Sequence, residues 1–261
     1  MNKIGFKIDN CEQFRNVAGE LIYVSEYSPL EFGLECYSKE EGRGVKKTET
    51  METIFSHFNT RKADNIIHLS LEAKVLNKHE HSEKEWLNIW KKQAELIEGI
   101  NIDYFIVHAT SKESKEIPEQ EQVNIIHENF KKLIDIFEKP IFIENTYEDL
   151  DFYKKLMDNA DSNMHFTFDI GHKKIHSNES NESWLIFLKQ LKEARKRIHF
   201  HIHDNNGNYD SHRPIFFYKN NDVLLFIEKL KKEFTSSNFI LEQHNINLPD
   251  LFKEYIIVNG I

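Results

Sequence analysis

The sequence predicts a (β/α)8 barrel, and three observations support that prediction. Eight short apolar runs of strand-like composition alternate with longer segments that have the spacing of amphipathic helices. The chain has 261 residues, 39% of them hydrophobic, which suits one barrel of this kind. Histidine or carboxylate side chains recur near the ends of the apolar runs. We therefore expect a single domain over residues 1–261, with a doubly wound open sheet as the alternative arrangement of the same elements.

The predicted strands are short runs rich in β-branched and aromatic residues. They cover residues 3–8, 32–37, 65–71, 102–108, 141–144, 165–170, 198–203 and 239–242. The seventh run, IHFHIH, alternates apolar side chains with histidines and leads directly into Asp-Asn-Asn-Gly, a turn sequence. Because side chains alternate across a strand, its histidines are expected on one face and its apolar side chains on the other.

The predicted helices fill the intervals between the strands. They cover residues 45–58, 82–98, 118–137, 147–157, 182–197, 221–234 and 248–258. The second begins with Ser82 and Glu85, which have the spacing of a capping box. The third has Pro118 in its first turn, where no backbone N–H is needed. Neither GxGxxG nor GxxxxGK[ST] follows any predicted strand, so the sequence indicates no dinucleotide site and no P-loop.

Composition narrows the class of protein. The chain has 43 acidic and 34 basic residues, a net charge of -9, which argues against broad affinity for nucleic acid or anionic membranes. Its two cysteines, Cys11 and Cys36, form no CxxC pair, so neither a disulfide framework nor a thiolate zinc site is expected. No apolar run approaches the ~20 residues of a membrane span, and the first residues lack the apolar core of a signal peptide. These features predict a cytoplasmic protein without membrane contact.

Six consecutive predicted strands each carry a metal-binding type of side chain near the C-terminal end, 25 to 41 residues apart. These are His68, His108, Glu144, Asp169, His201 and Glu242. In a barrel, those strand ends converge on one mouth. His172 follows the sixth strand, and Asp210 and His212 lie in the loop after the seventh. A single strand histidine is ordinarily a core residue, and an aspartate there ordinarily caps the next helix, but their recurrence with the strand–helix period indicates a divalent metal site.

From Glu144 onward the chain resembles the xylose isomerase-like barrel superfamily, which includes endonuclease IV and many sugar isomerases and epimerases. The motifs IENT, FDIGH, HIHDNNGNYDSH and ILE occur in that family's order and spacing. The resemblance to endonuclease IV implies nine ligands for three metal ions. Glu144 would bridge two of the ions. The other ligands of this pair of ions would be His68, His108, Asp169, His201 and Glu242. The third ion would be held by His172, Asp210 and His212.

The resemblance also implies which histidine of the seventh strand binds metal. In the family's HxxD element the ligand lies three residues before the aspartate, which selects His201 and leaves His203 as a neighbour or as a substitute ligand. The sequence departs from endonuclease IV in loops that contact DNA. His68 is followed by Leu69 instead of Pro-Tyr, His108 lacks the following Pro-Gly, and Ser211 stands where an arginine is usual. DNA is therefore the less expected substrate, and a small phosphorylated or sugar-like molecule the more expected one.

Two enzymatic chemistries follow from these residues. In the first, clustered divalent ions hydrolyse a phosphoester, and the third ligand set favours this chemistry. In the second, one ion polarises a sugar or sugar phosphate while Glu144 and Glu242 act as catalytic base and acid in an isomerisation or epimerisation. There Arg213, His172 and His203 would contact the substrate. A barrel that binds metal without catalysis is a third interpretation.

The donor set also predicts the metal. Imidazole and carboxylate ligands without thiolate suit zinc first, and manganese or iron as alternatives. The sequence shows no exposed apolar stripe that would indicate how copies of the chain associate.

Overall fold

A computed structural model describes residues 3–9, 27–34, 48–70, 83–110, 117–218, 221–243 and 248–260. Eight parallel strands close into a barrel in which each strand pairs with its sequence neighbours and the first pairs with the last. The strands are β1 (Lys3–Asp9), β2 (Leu30–Gly33), β3 (Asn65–His68), β4 (Tyr104–His108), β5 (Ile141–Glu144), β6 (Met164–Asp169), β7 (Ile198–Ile202) and β8 (Asn238–Leu241). The predicted (β/α)8 barrel is therefore confirmed, and the open sheet is not formed.

Eight helices lie in the part of the chain that the structure describes. They are α1 (Glu49–Phe58), α2 (Glu83–Leu96), α3 (Glu119–Phe137), α4 (Leu150–Met157), α5 (Ile170–His176), α6 (Asn181–Glu193), α7 (Asn221–Glu233) and α8 (Leu248–Gly260). Several begin at polar caps whose side chains accept from the first turn. Thr48 accepts from the backbone N–H of Met51 at 3.1 Å, and Asp149 from that of Phe152 at 3.0 Å.

The element boundaries differ from the prediction in three informative places. β2 begins two residues earlier than expected, at Leu30, while residues 35–37 of the predicted strand lie outside the described residues. Pro118 is the residue before α3, not part of its first turn. The short helix α5 was not predicted, because it has too few residues to show an apolar period. Ser82 of the predicted capping box lies outside the described residues.

Alternation along the strands separates two apolar layers. Phe200 of β7 points outward, where its ring stacks on Phe239 at 4.5 Å between centroids. A small second cluster lies on the opposite strand faces, inside the barrel, and consists of Ile66, Tyr104, Ile106, Phe142 and Ile240. Polar side chains take the inward positions above it, so the barrel interior has an apolar floor beneath a polar mouth.

None of the helices in the described ranges has the length and apolar character needed to cross a membrane. The cytoplasmic location stays a prediction.

Candidate metal centre

Strand register brings the candidate ligands to the same level of the barrel. His108 is opposite Glu144 across the β4–β5 pair, and Asp169 is opposite His201 across the β6–β7 pair. Glu242 follows β8 directly, and its backbone N–H donates to the carbonyl of Ile202 at 3.1 Å. The convergence that the strand-end spacing predicts is therefore realised in the structure.

The first group of candidate ligands comprises His68, His108 and Glu144. His68 Nε2 lies 2.9 Å from Glu144 Oε2, and His108 Nε2 lies 3.7 Å from the same oxygen. His68 and Glu144 are buried, whereas the His108 side chain is 28% exposed. The other ring nitrogen of His68, Nδ1, is 3.1 Å from the carbonyl oxygen of Leu69. A proton on Nδ1 donated to that carbonyl leaves the Nε2 lone pair facing the group, as a metal ligand requires.

The second group shares Glu144 and adds Asp169, His201 and Glu242. His201 Nδ1 lies 3.1 Å from Glu242 Oε2, 3.3 Å from Glu144 Oε1 and 3.7 Å from Asp169 Oδ2. All four side chains are buried. Three carboxylates around one imidazole nitrogen form a compact set of hard and borderline donors.

The third group connects α5 to the loop after β7. His172 Nε2 lies 3.1 Å, and His212 Nε2 2.9 Å, from Asp210 Oδ2. His172 Nδ1 is 2.9 Å from the carbonyl oxygen of Asn145, which again leaves Nε2 facing the carboxylate. His203 also belongs to this group by position, since one donor atom of each member lies within 4.8 Å of the others.

Electrostatics within the groups follow from burial and mutual charge. Burial alone would raise the pKa of Glu144, but His201 and His108 hold that pKa well below its usual range. Burial alone would lower the pKa of His201, but Glu31, Glu144 and Glu242 hold it well above its usual range. The Glu144 carboxylate is therefore ionised, and His201 carries a proton that a divalent ion would displace on binding.

Buried donor atoms without hydrogen bonds provide the test of whether metal ions fit. His201 Nδ1, His203 Nδ1, Glu242 Oε2 and Asp210 Oδ1 are all buried and make no hydrogen bond. Such atoms carry a desolvation cost unless something compensates them. Each of them faces carboxylates or imidazoles of its own group, so the residues present fit divalent ions with nitrogen and oxygen ligands.

Sequence reasoning missed a set of buried polar residues below the second group. Glu31 Oε2 lies 2.9 Å from His201 Nε2 and 3.2 Å from His199 Nε2. Lys7 forms an ion pair with Glu242, and its Nζ is 3.7 Å from Glu31 Oε1. The predicted second strand began at residue 32 and so left Glu31 out. The sequence did contain a signal for Glu31, because a glutamate lies there between Leu30 and Phe32. If this segment is a strand, the side chain of Glu31 points into the barrel and its charge is buried.

All nine residues predicted as metal ligands lie within the three groups. Two of the predicted substrate contacts, Arg213 and His203, are not among those nine residues. Arg213 is half-buried beside Asp204, with which it exchanges backbone hydrogen bonds, and its guanidinium lies 5.1 Å from the Phe217 ring centroid. His203 is fully buried. The roles assigned to these residues stay predictions.

A closed barrel of eight parallel strands, with imidazole and carboxylate side chains gathered at the strand ends, defines the class of protein. Within that class, the chain belongs to the xylose isomerase-like TIM barrel family, whose model matches residues 57–255. No curated protein sequence matches the chain.

Solved structures with the same fold include several enzymes. The TTHB071 protein of Thermus thermophilus, soaked with ZnCl2, is 14% identical, with 99% of each chain covered and a TM-score of 0.66. Endonuclease IV of the same organism is 13% identical over 99% of this chain and 100% of its own, with a TM-score of 0.65. A D-allulose 3-epimerase from Methylomonas sp., in complex with D-allulose, is 14% identical over 98% and 90%, with a TM-score of 0.59. At these identities the likeness establishes the fold.

Proposed function

We propose that this protein is a divalent-metal-dependent hydrolase that cleaves a phosphoester in a small phosphorylated substrate. The observation that carries the proposal is the continuity of the three ligand groups. Glu144 belongs to two of them, and His172 of the third has its Nδ1 3.2 Å from Glu144 Oε1. A single-metal enzyme has no use for the third group. Zinc is the metal we propose, with manganese or iron as alternatives.

Clustered divalent ions supply a neutral-pH nucleophile and stabilise attacking and leaving oxygens. The chain's own residues hold that centre and define its open side. His108 and Asp210 are the partly exposed members, with side chains 28% and 33% exposed, so the substrate approaches past them. Glu144 and Glu242, buried and ionised, keep the negative charge that attracts the ions. A net charge of -9 and the serine at position 211 favour a small substrate over DNA.

The second group also supports sugar or sugar-phosphate isomerisation or epimerisation as a second candidate function. Glu144 and Glu242 approach His201 Nδ1 from separate strands, β5 and the end of β8, at 3.3 and 3.1 Å. In that chemistry one carboxylate removes the proton from the carbon beside a carbonyl, and the other returns a proton on the opposite side. The D-allulose 3-epimerase among the similar structures supports this alternative.

Metal stoichiometry separates the two candidates. We would measure it by elemental analysis of protein purified without chelator, for the wild type and His212→Ala, with His57→Ala on the exposed end of α1 as the control. Two or three ions per chain, falling by about one only in His212→Ala, support the multinuclear hydrolase, and phosphoesters are then assayed. One ion per chain, unchanged in His212→Ala, overturns it in favour of the isomerase, and ketoses and their phosphates are then assayed.

A further inference from the structure

His203 is a buried histidine in the third group that the implied set of nine ligands does not use. Its side chain is fully buried, and its Nδ1 makes no hydrogen bond. That nitrogen lies 3.9 Å from Asp210 Oδ1, whereas His172 and His212 contact the other carboxylate oxygen, Oδ2. An imidazole nitrogen left without a partner in a buried polar cluster needs a ligand to offset its desolvation.

The surroundings of His203 fix which nitrogen is available. Its Nε2 lies 3.0 Å from both carboxylate oxygens of Asp169. A proton on Nε2 is therefore donated to Asp169, and the lone pair is on Nδ1, which faces Asp210. The same arrangement of one tethered nitrogen and one inward nitrogen occurs at His172.

Packing holds the ring in that position. The His203 ring stacks on the His212 ring with centroids 4.0 Å apart and planes 13° apart. On the other side it occupies the space above Gly171 of α5, where a Cβ would lie 1.9 Å from His203 Cε1. Only glycine at position 171 leaves room for this ring, so the backbone is adapted to the position of His203.

We infer that His203 is a fourth protein ligand, through Nδ1, of the ion held by His172, Asp210 and His212. This inference rests on the proposed metal centre. Four protein ligands close the coordination sphere of a tetrahedral ion such as zinc, as in structural sites, whereas catalytic sites keep a position open. The third ion then fastens α5 and the loop after β7 to the barrel. The group of His68, His108 and Glu144, with three ligands and an exposed edge, keeps the open position.

The competing role for His203 is positional. Through its hydrogen bond to Asp169, it could orient a ligand of the second group without touching an ion itself. Loss of His203 would weaken the ion of the third group if His203 is a ligand, and the ion of the second group if it only positions Asp169. Metal binding measurements distinguish these two outcomes without an activity assay.

The experiment uses the full chain, stripped of metal and reloaded with Co²⁺. Co²⁺ content, Co²⁺ affinity and the visible absorption of the ion are measured for the wild type, His203→Gln, Asp210→Asn and the double variant, with His57→Gln as the surface control. We expect His203→Gln to weaken one ion by more than about 100-fold, beyond the 10–100-fold effect of an outer-shell partner. We also expect it to weaken the intense absorption typical of tetrahedral Co²⁺. Circular dichroism of the metal-free proteins verifies that each variant folds.

The double variant identifies the ion. If His203 and Asp210 hold the same ion, the double variant loses one ion, as Asp210→Asn does alone. Two results would contradict the inference but leave the proposed metal centre in place. In the first, the double variant loses two ions. In the second, Asp210→Asn loses an ion while His203→Gln keeps the Co²⁺ affinity and absorption of the wild type. If Asp210→Asn itself loses no ion, the third group is not a metal site, and the multinuclear proposal is overturned together with the inference.

Discussion

Glu31 Oε2 and His201 Nε2 are 2.9 Å apart across the interior of the barrel, and both side chains are fully buried. The contact joins β2 to β7. It directs the Nε2 proton of His201 toward Glu31 and thereby leaves Nδ1 for Glu144 and Glu242. Glu31 has two further partners. The Lys7 ammonium lies near Glu31 Oε1, and the His199 imidazole lies near Glu31 Oε2. A buried carboxylate held in this way can tune a metal ligand without binding the ion.

The first prediction concerns Glu31→Gln. An amide makes the His201 imidazole less basic than a carboxylate does, so we expect the ion of the second group to bind at least about 10-fold more weakly. Competition with a coloured chelator measures the affinity of each ion. Glu193→Gln, at the exposed end of α6, is the control and is expected to bind all ions as the wild type does. Unchanged affinity in Glu31→Gln would contradict a positioning role for this carboxylate.

The second prediction concerns Glu144, which belongs to two ligand groups. Glu144→Ala is expected to abolish turnover and to remove the ions of the first and second groups without unfolding the barrel. The ion of the third group is expected to stay, because its candidate ligands do not include Glu144. Elemental analysis and circular dichroism measure both effects. A variant that keeps full metal content and turnover would falsify the site assignment.

The third prediction concerns Gly171, which lies against the His203 ring. Gly171→Ala forces that ring to move, and overpacking of a buried position costs about 1–3 kcal/mol. We expect a lower free energy of unfolding and weaker binding of the third ion. Gly260→Ala, at the end of α8 with no atoms within 4 Å of an added Cβ, is the matched control and is expected to be nearly neutral. Equal unfolding curves for the two variants would contradict this prediction.

The fourth prediction concerns pH. Burial raises the pKa of Glu254 on α8 to about 7, although the Ile215 N–H and Gln243 both donate to its carboxylate. Between the ordinary pKa of 4.5 and about 7, the native protein keeps a proton that the unfolded chain has released. The native state is therefore destabilised as the pH rises through that window, by up to about 3 kcal/mol.

Glu254→Gln cannot titrate and is expected to lack this contribution. Urea unfolding of the metal-free wild type and variant from pH 4 to pH 8 measures it as a difference curve. We expect the stability of the wild type to fall relative to the variant between pH ~4.5 and ~7 and the difference to level off outside that window. A flat difference curve would mean that Glu254 titrates normally in the folded protein.

The sequence alone determined the barrel and the general location of its polar mouth. Strand and helix periods specify which segments form each element, and strand ends of a parallel barrel must converge. For that reason the spacing of His68, His108, Glu144, Asp169 and His201 predicts that these side chains meet at one end of the barrel. The individual ligand roles came from the family resemblance, and they stay predictions.

Only the tertiary structure revealed the buried partners of those residues. Glu31 lies 170 positions from His201 in the chain, and Lys7 lies 235 positions from Glu242. Pairs of this kind depend on which inward side chains share a layer of the closed barrel, and no local period encodes that. The fit of the His203 ring over Gly171 depends likewise on how α5 packs against the end of β7. Local pattern determines the elements, whereas register and closure decide which buried charges meet.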